Sequence, residues 1–425
     1  YHYDAYTHSM YRIAEMSAFG LENLSIYGHY ALLLLPFIKL MGGANMMNIA
    51  LLISLIAFIT GMCCFLVINK WIKDDMLFGA GCLAFLAVPV MLYLNGSYYQ
   101  INPHRYFFVA IFLYYISCRK EEKRYEWVGW LIIFLAILWN TETGLVMGLS
   151  FAVCNFGIRF VEKRIKFSFL TEPVGGNIIG IRTFLYPIGS EEYNIKYLMK
   201  PLPKGIQFYI IEQGMFLITI CSTLFRVIIE RTNISKKTIL LFLSAMIGIG
   251  SFIYYINRPA YGNISISHIS FVIILVLFMD HLRNINKECK QLKIPIFAVG
   301  MVIVALSAGT VLYLEKNLET RYNTSWKMDE VRNDIKEIAK EIPKNTYAFG
   351  KGIDIIYGEL GWKTGCNTID EPDFNSFGKK MIQEELKYRK DFFVSETGAS
   401  LFDLSEFKLI EAYVVGEERY LYYRR

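Results

Sequence analysis

The sequence predicts a polytopic α-helical membrane protein with a small extracytoplasmic C-terminal α/β domain. Three observations lead there. The 425 residues are 54% hydrophobic and 16% aromatic, with a mean hydropathy of +0.34, which is too apolar for an ordinary soluble chain. The apolar residues come in blocks of membrane-spanning length. At residue 315 the composition changes to that of a soluble domain. The expectation is a membrane domain over 1–314 and a soluble domain over 315–425.

The net charge of +6 does not point to nucleic acid, because Lys and Arg gather in short loops between apolar blocks, as cytoplasmic loops of membrane proteins do. Most of the eight cysteines lie inside apolar segments, where cysteine acts as a small hydrophobe. No CxxC spacing suggests zinc, and no Walker A, GxGxxG, GxSxG or HExxH motif is present. The chain opens on Tyr1 without a signal peptide, so it is expected to start inside a longer protein, with a preceding helix missing.

Residues 1–43 read as an outer-face loop followed by an interfacial helix. If the first segment is helical, Asp4, His8, Tyr11 and Glu15 share one face. The apolar run within 21–43 is only about a dozen residues, short for a span, and is interrupted by Pro36 and Lys39. Spans are then expected over 44–68, 76–94 and 106–118. The segments 127–139 and 145–158 form a pair hinged on Asn140-Thr141-Glu142-Thr143-Gly144. Further spans are 206–229, 238–256, 266–282 and 294–314.

In alternation, the loops at 69–75, 119–126 and 159–166 share one side, while the N-terminal segment, 95–105 and 140–144 share the other. Positive-inside places Asp4, His104, Arg105 and Glu142 on the extracytoplasmic side. The basic loops 231–237 and 283–293 then require one crossing between 166 and 187, where Glu172, Pro173, Gly175, Gly176 and Arg182 leave no good span. Either a broken helix is buried in protein there, or residues are absent; absence is the favoured expectation. In the tail, strands are expected over 346–349, 391–395 and 408–415, with helices over 328–341 and 377–390.

Ionisable residues of the expected outer face are Asp4, Glu15, Arg105, Glu142, Lys200 and Arg258, with histidines 2, 8, 29, 104 and 268 on or near it. Charges close to lipid are costly and mark function. A carboxylate that takes a proton from an acceptor hydroxyl, with cations that stabilise a leaving phosphate, is what sugar transfer from a lipid phosphate requires.

These features carry a resemblance. An acidic residue in the first outer loop (Asp4) is followed by Tyr27-Gly28-His29-Tyr30 and a leucine-rich segment to Gly42-Gly43. Alternating spans to Leu314 and the tail from Glu315 to Arg425 complete the pattern. It resembles the GT-C class of integral-membrane glycosyltransferases, over nearly the whole chain. The class often has a pair of acidic residues in its first loop; here a single Asp stands, with Glu15 some distance on.

The resemblance implies an inverting enzyme of a bacterial cytoplasmic membrane, multi-pass, with its C-terminal domain extracytoplasmic. Its partners would be a polyprenyl-phosphate sugar donor, a glycan or envelope-polymer acceptor and the lipid bilayer. Asp4 matches the first-loop catalytic carboxylate. Glu142 is a second catalytic candidate, or a charge at a helix N-terminus. Arg105, Arg258 and His104 are candidates to hold the donor phosphate, against an interfacial anchor and ordinary loop residues. His8, His29 and Tyr27 are candidates to touch substrate, against hydrogen-bonded interfacial positions. No metal ligands are assigned, and a divalent cation is left open as a cofactor. In the tail, Gly361-Trp362-Lys363 and Asp370-Glu371-Pro372-Asp373 are either acceptor contacts or fold punctuation. Two rival readings are a transporter or flippase of lipid-linked glycans and a non-catalytic assembly factor. A transporter should carry ionisable residues near the bilayer midplane; spans read as largely uncharged favour the enzyme.

Overall fold

The computed structural model describes residues 2–15, 28–94, 101–119, 126–161, 207–228, 234–257, 265–289, 293–344, 346–349, 376–415 and 418–425. The expected awkward crossing at 166–187, Tyr27, Lys200, Arg258 and the tail stretches at 361–363 and 370–373 lie outside the described residues.

The chain is mostly helical. Its helices are α1 (His2–Glu15), α2 (Tyr30–Leu40), α3 (Met46–Trp71), α4 (Asp75–Leu94), α5 (His104–Cys118), α6 (Glu126–Trp139) and α7 (Thr141–Val161). They continue as α8 (Gln207–Ile228), α9 (Lys236–Asn257), a 3-10 turn at Ser265–Ser267, α10 (His268–Cys289) and α11 (Lys293–Glu341). Among the described residues, Met46–Trp71, Thr141–Arg159 and Ser265–Ile285 are long and apolar enough to cross a membrane, with shorter apolar helices at Tyr30–Leu40, Asp75–Ala87, Glu126–Trp139 and Ile296–Leu312.

The chain forms two compact units. One takes the described residues up to 54 and from 317 onward, and the other those between 55 and 316. In the first, α1 packs on α2. The Tyr6 ring stacks on Tyr30 at 4.4 Å between centroids, and the Tyr30 hydroxyl donates to the Tyr6 carbonyl. Burial raises the Tyr6 phenol above its ordinary pKa. Helix α2 ends as its glycines dictate. Gly42 and Gly43 take φ of +89° and +116°, and the Gly43 amide bonds back to the Ile38 carbonyl at 2.9 Å, the reverse bond of a Schellman ending. The Asn48 side-chain amide then donates to the Met41 and Gly43 carbonyls, both at 2.8 Å, fixing the entry to α3.

Helix α3 shows why these segments suit lipid. Ile49, Ile53, Ile56, Cys64 and Val67 are buried, while Met47, Leu51, Leu55, Phe58, Met62 and Leu66 stand exposed at spacings of three and four. Such an exposed apolar stripe is stable only against an apolar medium.

In the second unit α9 is central, packing on α5, α7, α8, α10 and the 3-10 turn. Helices α6 and α7 turn back on each other across Asn140, and Gly144 makes the turn feasible. A Cβ there would sit 2.3 Å from the Ile137 backbone nitrogen. Ion pairs join residues that alternation puts on the basic side: Arg283 with Asp74 at 2.8 Å, Lys237 with Asp280 at 3.1 Å and Arg159 with Glu126 at 2.9 Å.

Two expectations are corrected in the tail. The helix expected alone over 328–341 is the C-terminal part of α11, a continuous 49-residue helix. No Gly or Pro interrupts 310–341, so the shift to polar composition at 315 does not stop it. A further strand also completes the sheet. Strands β1 (Tyr347–Phe349), β2 (Asp391–Ser395), β3 (Lys408–Val415) and β4 (Glu418–Arg424) order as β1-β2-β4-β3. The β1–β2 pair is parallel and the others antiparallel. Helix α12 (Ser376–Leu386) lays Ile382 and Leu386 on a core with Phe392, Val394 and Phe402. A short helix α13 (Glu396–Ala399) follows β2, capped by Ser395, whose side chain accepts from the Gly398 amide at 3.1 Å.

Candidate functional site

The predicted site residues fall in both units. In the first, Asp4 lies in the first turn of α1, and with Glu15 it is described as a helix position alone. His8 is buried, and Tyr6 to Ile13 form an unbroken run of buried positions that includes Thr7, Ser9 and Arg12. A helix this polar does not bury all round to gain apolar contact, because enclosed polar groups must be satisfied. His29 is buried at the N-cap of α2, where its carbonyl accepts the Leu32 amide at 3.0 Å.

In the second unit, the start of α5 meets the α6–α7 turn. The Asn102–Pro103 peptide is cis and leads into His104 and Arg105. The His104 ring is fully buried and stacked on Trp139 at 5.3 Å, and the Trp139 indole N–H donates to the His104 carbonyl at 2.9 Å. Asn140 caps α7, its side-chain oxygen accepting the Thr143 amide at 3.0 Å. That places Glu142 in the first turn, where a negative charge suits the helix dipole.

Its carboxylate also accepts from the Arg105 guanidinium at 2.8 Å, with the Arg105 side chain 2% and the Glu142 side chain 30% exposed. The structure thus brings together two predicted residues 37 positions apart in the chain. The two readings of Glu142, helix-end charge and site carboxylate, describe one residue in one place. A guanidinium fixed by one carboxylate keeps further N–H groups with which to meet a second anion.

Glu212 is a buried carboxylate that sequence reasoning did not single out. It is buried in α8, and the Ser267 hydroxyl donates to its carboxylate at 2.6 Å. Nearby, the Tyr106 hydroxyl donates to the Ser265 carbonyl. The His268 ring bonds the Ala84 and Phe85 carbonyls of α4 at 3.0 and 3.2 Å. A carboxylate inside the apolar run 206–229 is itself a signal, since ionisable residues within spans are rare and mark candidate sites. It is an exception to spans that otherwise read as largely uncharged. Among the described residues, no group of three or more His, Cys, Asp or Glu could hold a metal ion.

No family model matches the chain, and no curated protein matches it by sequence. Solved structures match it by shape. Crystal structures of ArnT from Cupriavidus metallidurans, one bound to undecaprenyl phosphate and one in the apo state, superpose with TM-scores of 0.55 and 0.52. Their identities are 12% and 13%, over 99% of this chain and 92% of ArnT. The chain thus shares the fold of these ArnT structures.

Proposed function

We propose that the chain is a glycosyltransferase that moves a hexosyl or pentosyl unit from a polyprenyl-phosphate donor to a glycan, polymer or lipid of the cell envelope. One observation carries the reading: nearly the full chain shares the fold of a protein crystallised with undecaprenyl phosphate. In this proposal the acceptor hydroxyl attacks the anomeric carbon and Asp4 takes its proton. The anomeric C–O bond breaks, and its electron pair leaves on the polyprenyl phosphate. Attack opposite the leaving group inverts the centre. Arg105, oriented by Glu142, holds the phosphate with Arg258 and His104 and stabilises its developing charge. His8, His29 and Tyr27 contact substrate. The reaction is assigned to the outer face of a bacterial cytoplasmic membrane, with the domain over 315–425 on the same side. A divalent cation enters no step; chelation of purified protein tests that directly, and a loss of transfer restored by added cation would give one a place.

The experiment compares full-length wild type with Asp4→Asn in membrane vesicles supplied with radiolabelled polyprenyl-phosphate sugars and a crude envelope acceptor. Transfer should fall about 10²- to 10⁴-fold in the variant, the usual contribution of a positioned base. Equal transfer by both proteins would remove Asp4 from the mechanism. A second reading, transport of a lipid-linked glycan, is favoured by the buried carboxylate of Glu212 within a membrane helix. It predicts that Glu212→Gln abolishes translocation in vesicles while no donor yields a transferred sugar.

A further inference from the structure

Three consecutive residues at the start of α5 are each held by a different element. The Trp139 indole of α6 donates to the His104 carbonyl at 2.9 Å, and Glu142 of α7 accepts from Arg105 at 2.8 Å. The Tyr106 hydroxyl donates to the Ser265 carbonyl, in the 3-10 turn that precedes α10. Consecutive helix positions point about 100° apart, so the three anchors surround the first turn of α5 and fix its rotation. Arg105 stands between the other two.

The turn that receives Tyr106 is itself built on a carboxylate. Ser265, Ile266 and Ser267 are buried. The Ser267 hydroxyl donates to the Glu212 carboxylate of α8 at 2.6 Å, and the next residue, His268, bonds the Ala84 and Phe85 carbonyls of α4. Glu212 is 4% exposed and lies within electrostatic reach of the Tyr106 hydroxyl. Its mount is close-packed. One turn further along α8, Phe216 covers Gly248 of α9, where an added Cβ would sit 2.4 Å from the ring. An apolar side chain would fill position 212 without the cost of taking a carboxylate out of water. What the carboxylate supplies, and a leucine would not, is an acceptor for Ser267.

We propose that Glu212 is a positioning residue for phosphate binding. Through Ser267 it fixes the 265–267 turn, the turn fixes Tyr106, and Tyr106 sets the pose in which Arg105 meets a polyprenyl phosphate. The inference rests on the transferase reading, in which Arg105 holds the donor phosphate. The links act in series, so breaking any one of them releases the same anchor. Arg105 then keeps Glu142 and His104 keeps Trp139, so phosphate binding weakens without vanishing. The loss is limited by the weakest link, the neutral bond from Tyr106 to Ser265, whose net worth is about fivefold in an equilibrium constant.

The test measures binding of undecaprenyl phosphate to the full chain in lipid nanodiscs, with the melting temperature of each variant recorded beside it. Glu212→Leu and Tyr106→Phe should each bind about fivefold more weakly, and the double variant no more weakly than either alone. Glu212→Gln keeps an oxygen that accepts from Ser267 and should recover the affinity to within about twofold of wild type. A contact that only stabilises the fold would lower the melting temperature of Glu212→Leu and leave the affinity of the folded protein unchanged; that result would overturn the proposal. So would losses that multiply to about 25-fold in the double variant, or binding by Glu212→Gln as weak as by Glu212→Leu. Arg105→Gln separates this inference from the reading beneath it. If wild type binds no undecaprenyl phosphate, or Arg105→Gln binds it equally well, Arg105 does not hold the phosphate and both fall. Binding lost in Arg105→Gln but unchanged in Glu212→Leu sinks the positioning role alone.

Discussion

The pairing of Arg105 with Glu142 makes a quantitative prediction. Glu142→Gln leaves the Arg105 guanidinium, 2% exposed, without the carboxylate it holds at 2.8 Å. With about 4 Å between charge centres and an effective dielectric of about 20, such a pair interacts by about 4 kcal/mol. The Glu142 side chain is 30% exposed, so solvent removes roughly half, leaving a coupling of about 2 kcal/mol. The assay is a double-mutant cycle of Glu142→Gln, Arg105→Gln and the combined variant, read by SDS-induced unfolding in mixed micelles. The combined variant should be no less stable than the worse single one. A coupling below about 0.5 kcal/mol, the ordinary scatter of additive sites, would show that the pair neither stabilises the α5–α7 contact nor orients Arg105.

Two further outcomes follow from packing and charge. Gly144→Ala forces a methyl group against the Ile137 backbone and should cost about 3 kcal/mol. Gly61→Ala, whose added Cβ meets open space, should be neutral or stabilising by up to about 1 kcal/mol; equal behaviour of the two in a thermal melt would refute the close α6–α7 approach. In the tail, burial disfavours the charge on Asp391, but hydrogen bonds from Tyr422 and Arg424 and the positive charges of Arg424 and Lys390 outweigh it, holding the carboxyl below its ordinary value. A carboxyl with a depressed folded pKa stabilises above its unfolded value of about 3.9 and loses that contribution as pH falls through the folded value. Asp391→Asn should therefore loosen the β2–β4 pairing by about 1 kcal/mol at pH 7, seen as faster amide exchange over 391–395 and 418–424. The difference from wild type should vanish in acid, and a gap that persists there would refute the charge as its cause.

Much of the fold was legible in the chain. Apolar runs placed the apolar helices that are described, because burying backbone in an apolar medium demands helix wherever a run is long enough. Strands β2 and β3 matched their expected bounds, since β-branched and aromatic residues set off by turns read locally. Strand β4 did not: Glu418-Arg419-Tyr420-Leu421-Tyr422-Tyr423-Arg424 has charged ends and a run of tyrosines that blur the alternation. What makes it a strand is non-local, two neighbours that satisfy its backbone on both sides. The unbroken course of α11 was hidden in a similar way, by a change in composition that carries no helix-stopping residue.

The candidate site divides along the same line. Residue types, spacing and loop charge marked Arg105, His104 and Glu142 as members of one face, because cost in lipid and positive-inside bias are properties of the chain itself. Which of them touch was decided by tertiary structure. Arg105 could have met solvent, lipid phosphate or another carboxylate; the one-residue turn at Asn140 and the close packing at Gly144 put Glu142 in its reach. Glu212 needed Ser267, 55 positions away, to become a buried, hydrogen-bonded carboxylate rather than a stray charge in an apolar run. The sequence by itself determined a mostly helical chain with apolar, membrane-type segments, and it singled out the ionisable residues that stand between them. The pairing of those residues waited on the fold, because a side chain's partner is set by helices brought together across tens of residues and not by its neighbours in the chain.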